Sequence, residues 1–385
     1  MTFPVILANG PPPERYQEIA DSGVTALRLG RPDWNAGQAD AQIAAERARL
    51  DAAHAHGLGG WVWLGGLTNL PPGAPSQQLQ TLQRVVEGLR EHPGLLAWKG
   101  HDEPRNSSVP PANLARGRRA VQALDPDHPL VIVQAPRGTV AGLVPYRPAF
   151  DIAGVDIYPV GYPPGAHSDQ KNTDISVVGD VTRWIKQAAG TKPVWVTLQI
   201  AWSGVIPTKA EPNRVPRFPS NTDLRFMAYQ AIVNGARGLV FFGGHLTDAM
   251  SPADAAAGWN WTFWRQALQP LVQQLASGAL APALTAPAAK LTVTASSKDV
   301  ELATRQTADF TYLIAVRRGG ATTRVQLKGL PKTLRGGQVL FEYVQDPPPP
   351  PIVATNQKFR SIAVSGGAFT DWFAPHDVHV YRFPR

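Results

Sequence analysis

Cysteine is absent from this 385-residue sequence. Its absence removes disulfide scaffolds, cysteine-ligated zinc, iron–sulfur clusters and thiol catalysis together. It leaves the compartment open, because a cysteine-free chain works in oxidising and reducing surroundings alike. No stretch reaches the ~18 apolar residues that a transmembrane helix requires. The opening Met1–Gly10 has no basic n-region and too short an apolar run for an export signal, although a trimmed mature form would look the same. The 35 Gly and 37 Pro follow no Gly-X-Y period, which excludes a collagen and points to many turns between many elements. No glycine-rich phosphate loop follows an early strand, which argues against a dinucleotide-binding open sheet. Charged residues make up 17% against 43% hydrophobic, enough apolar material for a large core, so wholesale disorder is excluded. The formal charge of +8 comes from Arg and Lys scattered along the chain. It reads as a solvated basic surface, with no nucleic-acid or membrane partner expected.

What is present is an alternation. From residue 3 to about 280, strand-like runs fall at 3–8, 25–29, 59–67, 95–100, 130–134, 152–157, 193–199 and 239–242, with helix-like segments between them. The fifth intervening segment, 136–150, lacks a helical period. Ser220 followed by Asp223 predicts a capped helix start. Eight such units match a (β/α)8 TIM barrel in count and length, and the barrel is assigned to residues 1–280. After an Ala/Pro linker, short alternating runs at 291–295, 300–303, 310–315, 324–327, 339–344, 361–364 and 378–381 predict a C-terminal all-β sandwich over 288–385.

In such a barrel the C-terminal strand ends share one cavity. They offer Asn9, Arg28, Arg31, Asp33 and Trp34, then Trp63, then His101, Asp102 and Glu103, then Gln134, Asp156, Tyr158, Gln199, Trp202, His245 and Asp248. Trp259 and Trp261 stand before the last helix. Carboxylates suit acid–base work on a glycosidic bond. Flat aromatic faces suit the C–H faces of a pyranose, and amides and Arg suit its hydroxyls. Arg28 and Arg31 either bind an anionic sugar or pair with a carboxylate. The basic residues of the loop 203–219 tilt mildly toward an anionic glycan, with a neutral one still open. If the fourth strand runs on, alternation sets His101 and Glu103 on one face. Trp61, Trp98, Trp184 and Trp195 read as core.

The segment Leu95-Leu96-Ala97-Trp98-Lys99-Gly100-His101-Asp102-Glu103-Pro104 resembles the fourth-strand motif of (β/α)8-barrel glycoside hydrolases of the clan A type, the beta-galactosidase, cellulase and agarase barrels. So do Gly154-Val155-Asp156-Ile157-Tyr158-Pro159, Lys192-Pro193-Val194-Trp195-Val196-Thr197-Leu198-Gln199 and Leu224–Gly238. The end, Phe373–Tyr381, is similar to the closing strand of sandwiches attached to such barrels. The resemblance implies a glycosidase acting on an oligo- or polysaccharide, Glu103 as general acid and no cofactor.

One position departs from that pattern. Retaining members carry a nucleophilic Glu at the end of strand seven, where Gln199 stands here. Three readings follow. In the first, a hydrolase uses another second carboxylate: Asp156 first, then Asp102, Asp33 or Glu211. A separation of about 5–5.5 Å would predict retention and about 6.5–9.5 Å inversion. In the second, the barrel only binds carbohydrate. In the third, an enzyme of another class, a lyase or metal-dependent hydrolase, uses His101, Asp102 and Glu103. On the first two readings Asp102, His101, Tyr158, Gln199, Trp202, Arg28, Trp259 and Trp261 would contact the sugar. Gln199 is equally a buried amide and Asp156 equally a loop anchor.

Overall fold

The structure, a computed structural model, describes residues 2–160, 167–200, 218–243, 261–343 and 358–385. Trp202, Glu211, His245, Asp248 and Trp259 lie outside the described residues, as do the basic residues Lys209, Arg214 and Arg217.

Strands β1 (Val5–Leu7), β2 (Ala26–Arg28), β3 (Gly59–Trp63), β4 (Leu95–Asp102), β5 (Leu130–Gln134), β6 (Ile152–Ile157), β7 (Val194–Gln199) and β8 (Gly238–Phe242) form a closed barrel in sequence order. All neighbours are parallel, and β1 pairs with β8 through Val5↔Leu239 to close the ring. β5, β6 and β7 are buried along their whole length. Only a strand covered on both faces is buried at every position, and here the polar residues among them gather toward the C-terminal ends. Helices α1 (Tyr16–Ser22), α2 (Ala39–His54), α3 (Ser76–Leu89), α4 (Pro111–Leu124), α5 (Val140–Leu143) and α6 (Val177–Ala189) fill the connections. α5 is a single turn continued by a 3₁₀ segment over Val144–Ala149, in keeping with the missing helical period there. α7 (Asn221–Val233) begins as its sequence predicts. Asp223 Oδ2 accepts the Ser220 N–H at 2.9 Å, and Ser220 Oγ accepts the Asp223 N–H at 3.1 Å.

Inside the barrel, Trp61 and Trp195 meet edge to face at 5.8 Å among Ile6, Ala26, Ala97, Val131 and Val240. Trp98 and Trp184 are also buried, as expected. α4 approaches so closely that a Cβ on Gly117 would sit 1.9 Å from the Thr68 carbonyl oxygen, so only glycine fits there.

Contacts divide the chain into two units. One holds 4–224 and 235–272; the other holds 1–3, 225–234 and 273–385. The second is built on an antiparallel β-sandwich. One sheet has the order β10 (Val300–Gln306), β11 (Phe310–Arg317), β16 (Val378–Pro384), β13 (Gly336–Tyr343), β14 (Phe359–Ala363). The other is β15 (Ala368–Phe373), β12 (Thr323–Lys328), β9 (Thr294–Ala295). β15 has no counterpart among the sequence-predicted strands. Its inward positions are Phe369, Asp371 and Phe373, and the buried carboxylate breaks the apolar alternation by which a strand is read. Asp371 is tolerated inside because Arg360 and the Tyr381 hydroxyl bond it, at 2.6 and 3.0 Å.

Candidate active site

The site is built at the end of β4, where regular pairing fails. Lys99 stands opposite Val131 and Asp102 opposite Val133, so three steps along β4 match two along β5. Such a bulge cancels strict alternation and re-aims side chains. Lys99 and Asp102 therefore meet, Nζ to Oδ1, at 2.6 Å. The strand ends at Asp102, so alternation does not relate His101 to Glu103 in the way the sequence suggested. His101 instead turns its Nδ1 to the Asp102 carbonyl at 2.8 Å.

Glu103 has φ = 43°, a left-handed backbone that costs a residue with a Cβ about 1–2 kcal/mol. Its neighbours hold it there. The Glu103 N–H donates to Val133 O at 2.8 Å, and its own carbonyl accepts from Ser107 N at 3.0 Å. Asn106 donates to the carboxylate at 3.2 Å. Strain held in place at a strand end is a mark of functional sites.

On the far side of β5, β6 delivers Asp156 and then Tyr158. Glu103, Asp156 and His167 each bring one donor atom within 4.8 Å of the others. Asp156 is 6% exposed. Burial, then the Glu103 and Asp102 charges, hold its carboxyl well above the usual range. The Tyr158 ring stacks on Phe242 at 5.3 Å and lies 4.3 Å from the His167 ring. Burial and the Asp156 charge push the Tyr158 phenol far up, so it stays a neutral donor.

His167 decides what the cluster can hold. Its Nδ1 accepts the Tyr158 N–H at 3.3 Å, and its Nε2 faces Asp156 Oδ2 at 4.0 Å. Burial, then Arg137, bring its pKa down to about 4, so the ring is neutral at pH 7. A neutral ring that accepts at Nδ1 carries its proton on Nε2. A metal-bound histidine needs the reverse: a lone pair on the ligating nitrogen and an N–H on the other. As hydrogen-bonded here, His167 presents a donor to the carboxyl pair, and the donor set does not fit a metal.

The remaining predicted residues divide between the neighbourhood of this pair and tasks elsewhere. Burial pushes the Asp102 carboxyl upward, but Lys99, with Arg28 and Arg31, outweighs it and holds the group below its usual value. Burial lowers both Lys99 and His101. Gln199 is fully buried and committed elsewhere. Its Nε2 donates to Val160 O at 2.6 Å and its Oε1 accepts Val160 N–H at 2.8 Å, which pins the chain beyond β6. Trp261 is also engaged away from the pair. Its Nε1 donates to Glu18 at 2.9 Å, Arg15 lies over its ring, and it stacks on Trp264. Asp33 is exposed, and Gln134 accepts the Arg105 N–H at 3.4 Å. Two site residues escaped the sequence reading. Lys99 was signalled by a lone charge in an apolar run, whereas His167 sits beyond a Pro/Gly-rich loop and carried no signal.

No family model and no curated protein matches the sequence. Solved structures do match. A glycoside hydrolase superposes over 99% of this chain and 92% of its own, at 13% identity and a TM-score of 0.63. A glycoside hydrolase family 5 protein from Bacteroides vulgatus covers 100% and 89% of the two chains, at 11% identity and 0.61. The fold is that of the (β/α)8 glycoside hydrolases. A family 30 endoxylanase from Clostridium papyrosolvens matches over 100% of this chain and 96% of its own, at 13% identity and 0.53. At these identities the glycoside hydrolase likeness carries the fold alone, and the chemistry rests on the residues.

Proposed function

We propose that the barrel hydrolyses a glycosidic bond in an oligo- or polysaccharide, with Glu103 and Asp156 as the catalytic pair. The observation that carries this reading is their approach within 4.8 Å from the ends of β4 and β6. A purely binding barrel has no need of two carboxyls that repel each other when both ionise. An approach within 4.8 Å leaves no room between the carboxyls for the water that an inverting pair holds at about 6.5–9.5 Å. Retention needs one protonated and one ionised carboxyl. Burial raises the Asp156 carboxyl, which supports Asp156 as the acid and Glu103 as the nucleophile. That reverses the roles expected from the fourth-strand motif. Gln199, bound at both ends to Val160, has a structural task, so the missing strand-seven carboxylate does not by itself argue for a dead site.

Leaving-group dependence tests the assignment. An activated aryl glycoside needs no acid, whereas every substrate needs the nucleophile. Asp156→Asn should still release the phenol of an aryl glycoside in a first burst, stall at the glycosyl-enzyme for want of a base, and lose natural glycans altogether. Glu103→Gln should lose both, by about 10³-fold or more, the scale on which removal of a catalytic group is felt. The opposite pattern would return the acid role to Glu103. Wild-type silence across a broad glycan panel would move the protein to the carbohydrate-binding reading.

A further inference from the structure

Arg28 is the last residue of β2 and is half-buried. Its guanidinium makes no hydrogen bond or ion pair among the described residues, and burial is the main influence on its charge. Five donors partly withdrawn from water and left unmatched are costly. The opposite charge that acts on it most, Asp102, is taken by Lys99 at 2.6 Å. Arg31, also without a hydrogen bond or ion pair among the described residues, lies close enough to repel Arg28. Its guanidinium rests 4.5 Å from the centre of the Trp63 ring. That contact orients Arg31 without neutralising it.

We propose that Arg28 and Arg31 form a carboxylate-recognising subsite beside the Glu103–Asp156 pair, and that the substrate is a glycan carrying a uronic acid. This rests on the reading of the cavity as a carbohydrate site. Lys99 pairs with Asp102, so two neighbouring guanidinium charges stand without a carboxylate partner of their own among the described residues. A neutral sugar leaves that surplus unanswered. A sugar carboxylate meets it with two parallel N–H···O bonds from a planar fork, an arrangement lysine does not reproduce. The Trp63 indole that backs Arg31 has an 8% exposed surface, so it serves as a wall for Arg31 and not as a sugar platform.

The test pairs glucuronate-, galacturonate-, mannuronate- and guluronate-containing oligosaccharides with their carboxyl-reduced forms. The readout is the ratio of kcat/KM, charged over reduced. The same pairs are titrated by calorimetry onto Glu103→Gln, which binds without turnover. For at least one uronate the wild-type ratio should be about 10–100, the worth of a charged hydrogen-bonded contact. In Arg28→Gln it should fall to about 1, and in Arg31→Gln part of the way. Arg28→Lys keeps the charge without the fork; it should give an intermediate ratio and serves if Arg28→Gln does not fold. Hydrolysis with no preference for the charged member overturns the subsite and leaves the hydrolase reading standing. So does a preference that survives both Gln substitutions. Preference for a sulfated oligosaccharide over every uronate overturns the uronate assignment. Uronate-selective binding that Arg28→Gln abolishes, without turnover of any substrate, upholds the subsite and overturns the hydrolase reading. Neither binding nor turnover of any uronate overturns the subsite.

Discussion

Asp156 carries a conflict between stability and chemistry. Its folded pKa lies above the ordinary 3.8, so its contribution is fully present below that value and is lost as pH rises through the folded one. Above that point the wild type must bury a second negative charge beside Glu103. Asp156→Asn cannot ionise. It should match the wild type in stability at pH 3 and become increasingly more stable as pH rises, read by urea unfolding at each pH. A constant difference across pH would mean that Asp156 does not hold the proton. Gln199 poses a simpler question. Were it only a lost nucleophile, Gln199→Glu would create activity. Here the new carboxylate would stand 2.6 Å from the Val160 carbonyl, where an amide now donates. Gln199→Glu should gain no hydrolysis and lose about 1–3 kcal/mol, the cost of an unmatched buried group, measured by denaturant midpoint.

At the scale of elements, one irregular strand and one polar strand shape the molecule. The β4 bulge brings Lys99 to Asp102 and leaves Glu103 at the lip. In the sandwich, His379 on β16 bonds Glu342 of β13 and the Trp372 carbonyl of β15. Burial pulls its pKa down, but bonds to Asp377 and Glu342 outweigh burial and lift it to about 9. A raised histidine stabilises fully below its unfolded value of 6.5, and that stabilisation disappears as pH rises through about 9. The sandwich should lose at most about 3 kcal/mol across this window, and His379→Gln should flatten the slope. An unchanged slope in the variant would place the pH dependence elsewhere.

For the whole molecule, barrel closure sets the site by bringing β4 and β6 together at one mouth. The gathering is of carboxyls, a phenol and a histidine that donates toward them, a set suited to proton transfer. Glycan hydrolysis should therefore be unchanged after exhaustive chelation, followed by assay with and without added divalent ions. Loss on chelation with recovery on zinc or calcium would mean that His167 turns over to the other tautomer and the carboxyls hold metal. Among the described residues, no helix is long and apolar enough to cross a membrane.

The barrel and the sandwich were legible because burial leaves a periodic record. Strands covered on both faces must be apolar throughout, sandwich strands must alternate, and each βα repeat has a limited length. The positions of Glu103 and Asp156 at strand ends were legible for the same reason. β15 was not, because its inward Asp371 depends on Arg360 and Tyr381, which the local run of residues does not contain. Nor was the task of Gln199, which is set by Val160, 39 residues away. Sequence alone determined that carboxylates stand at the ends of β4 and β6, since periodicity is a local property. Tertiary structure alone decided which side chains meet, which are already bonded and which charges stand unmatched, since those depend on distances between segments far apart in the chain.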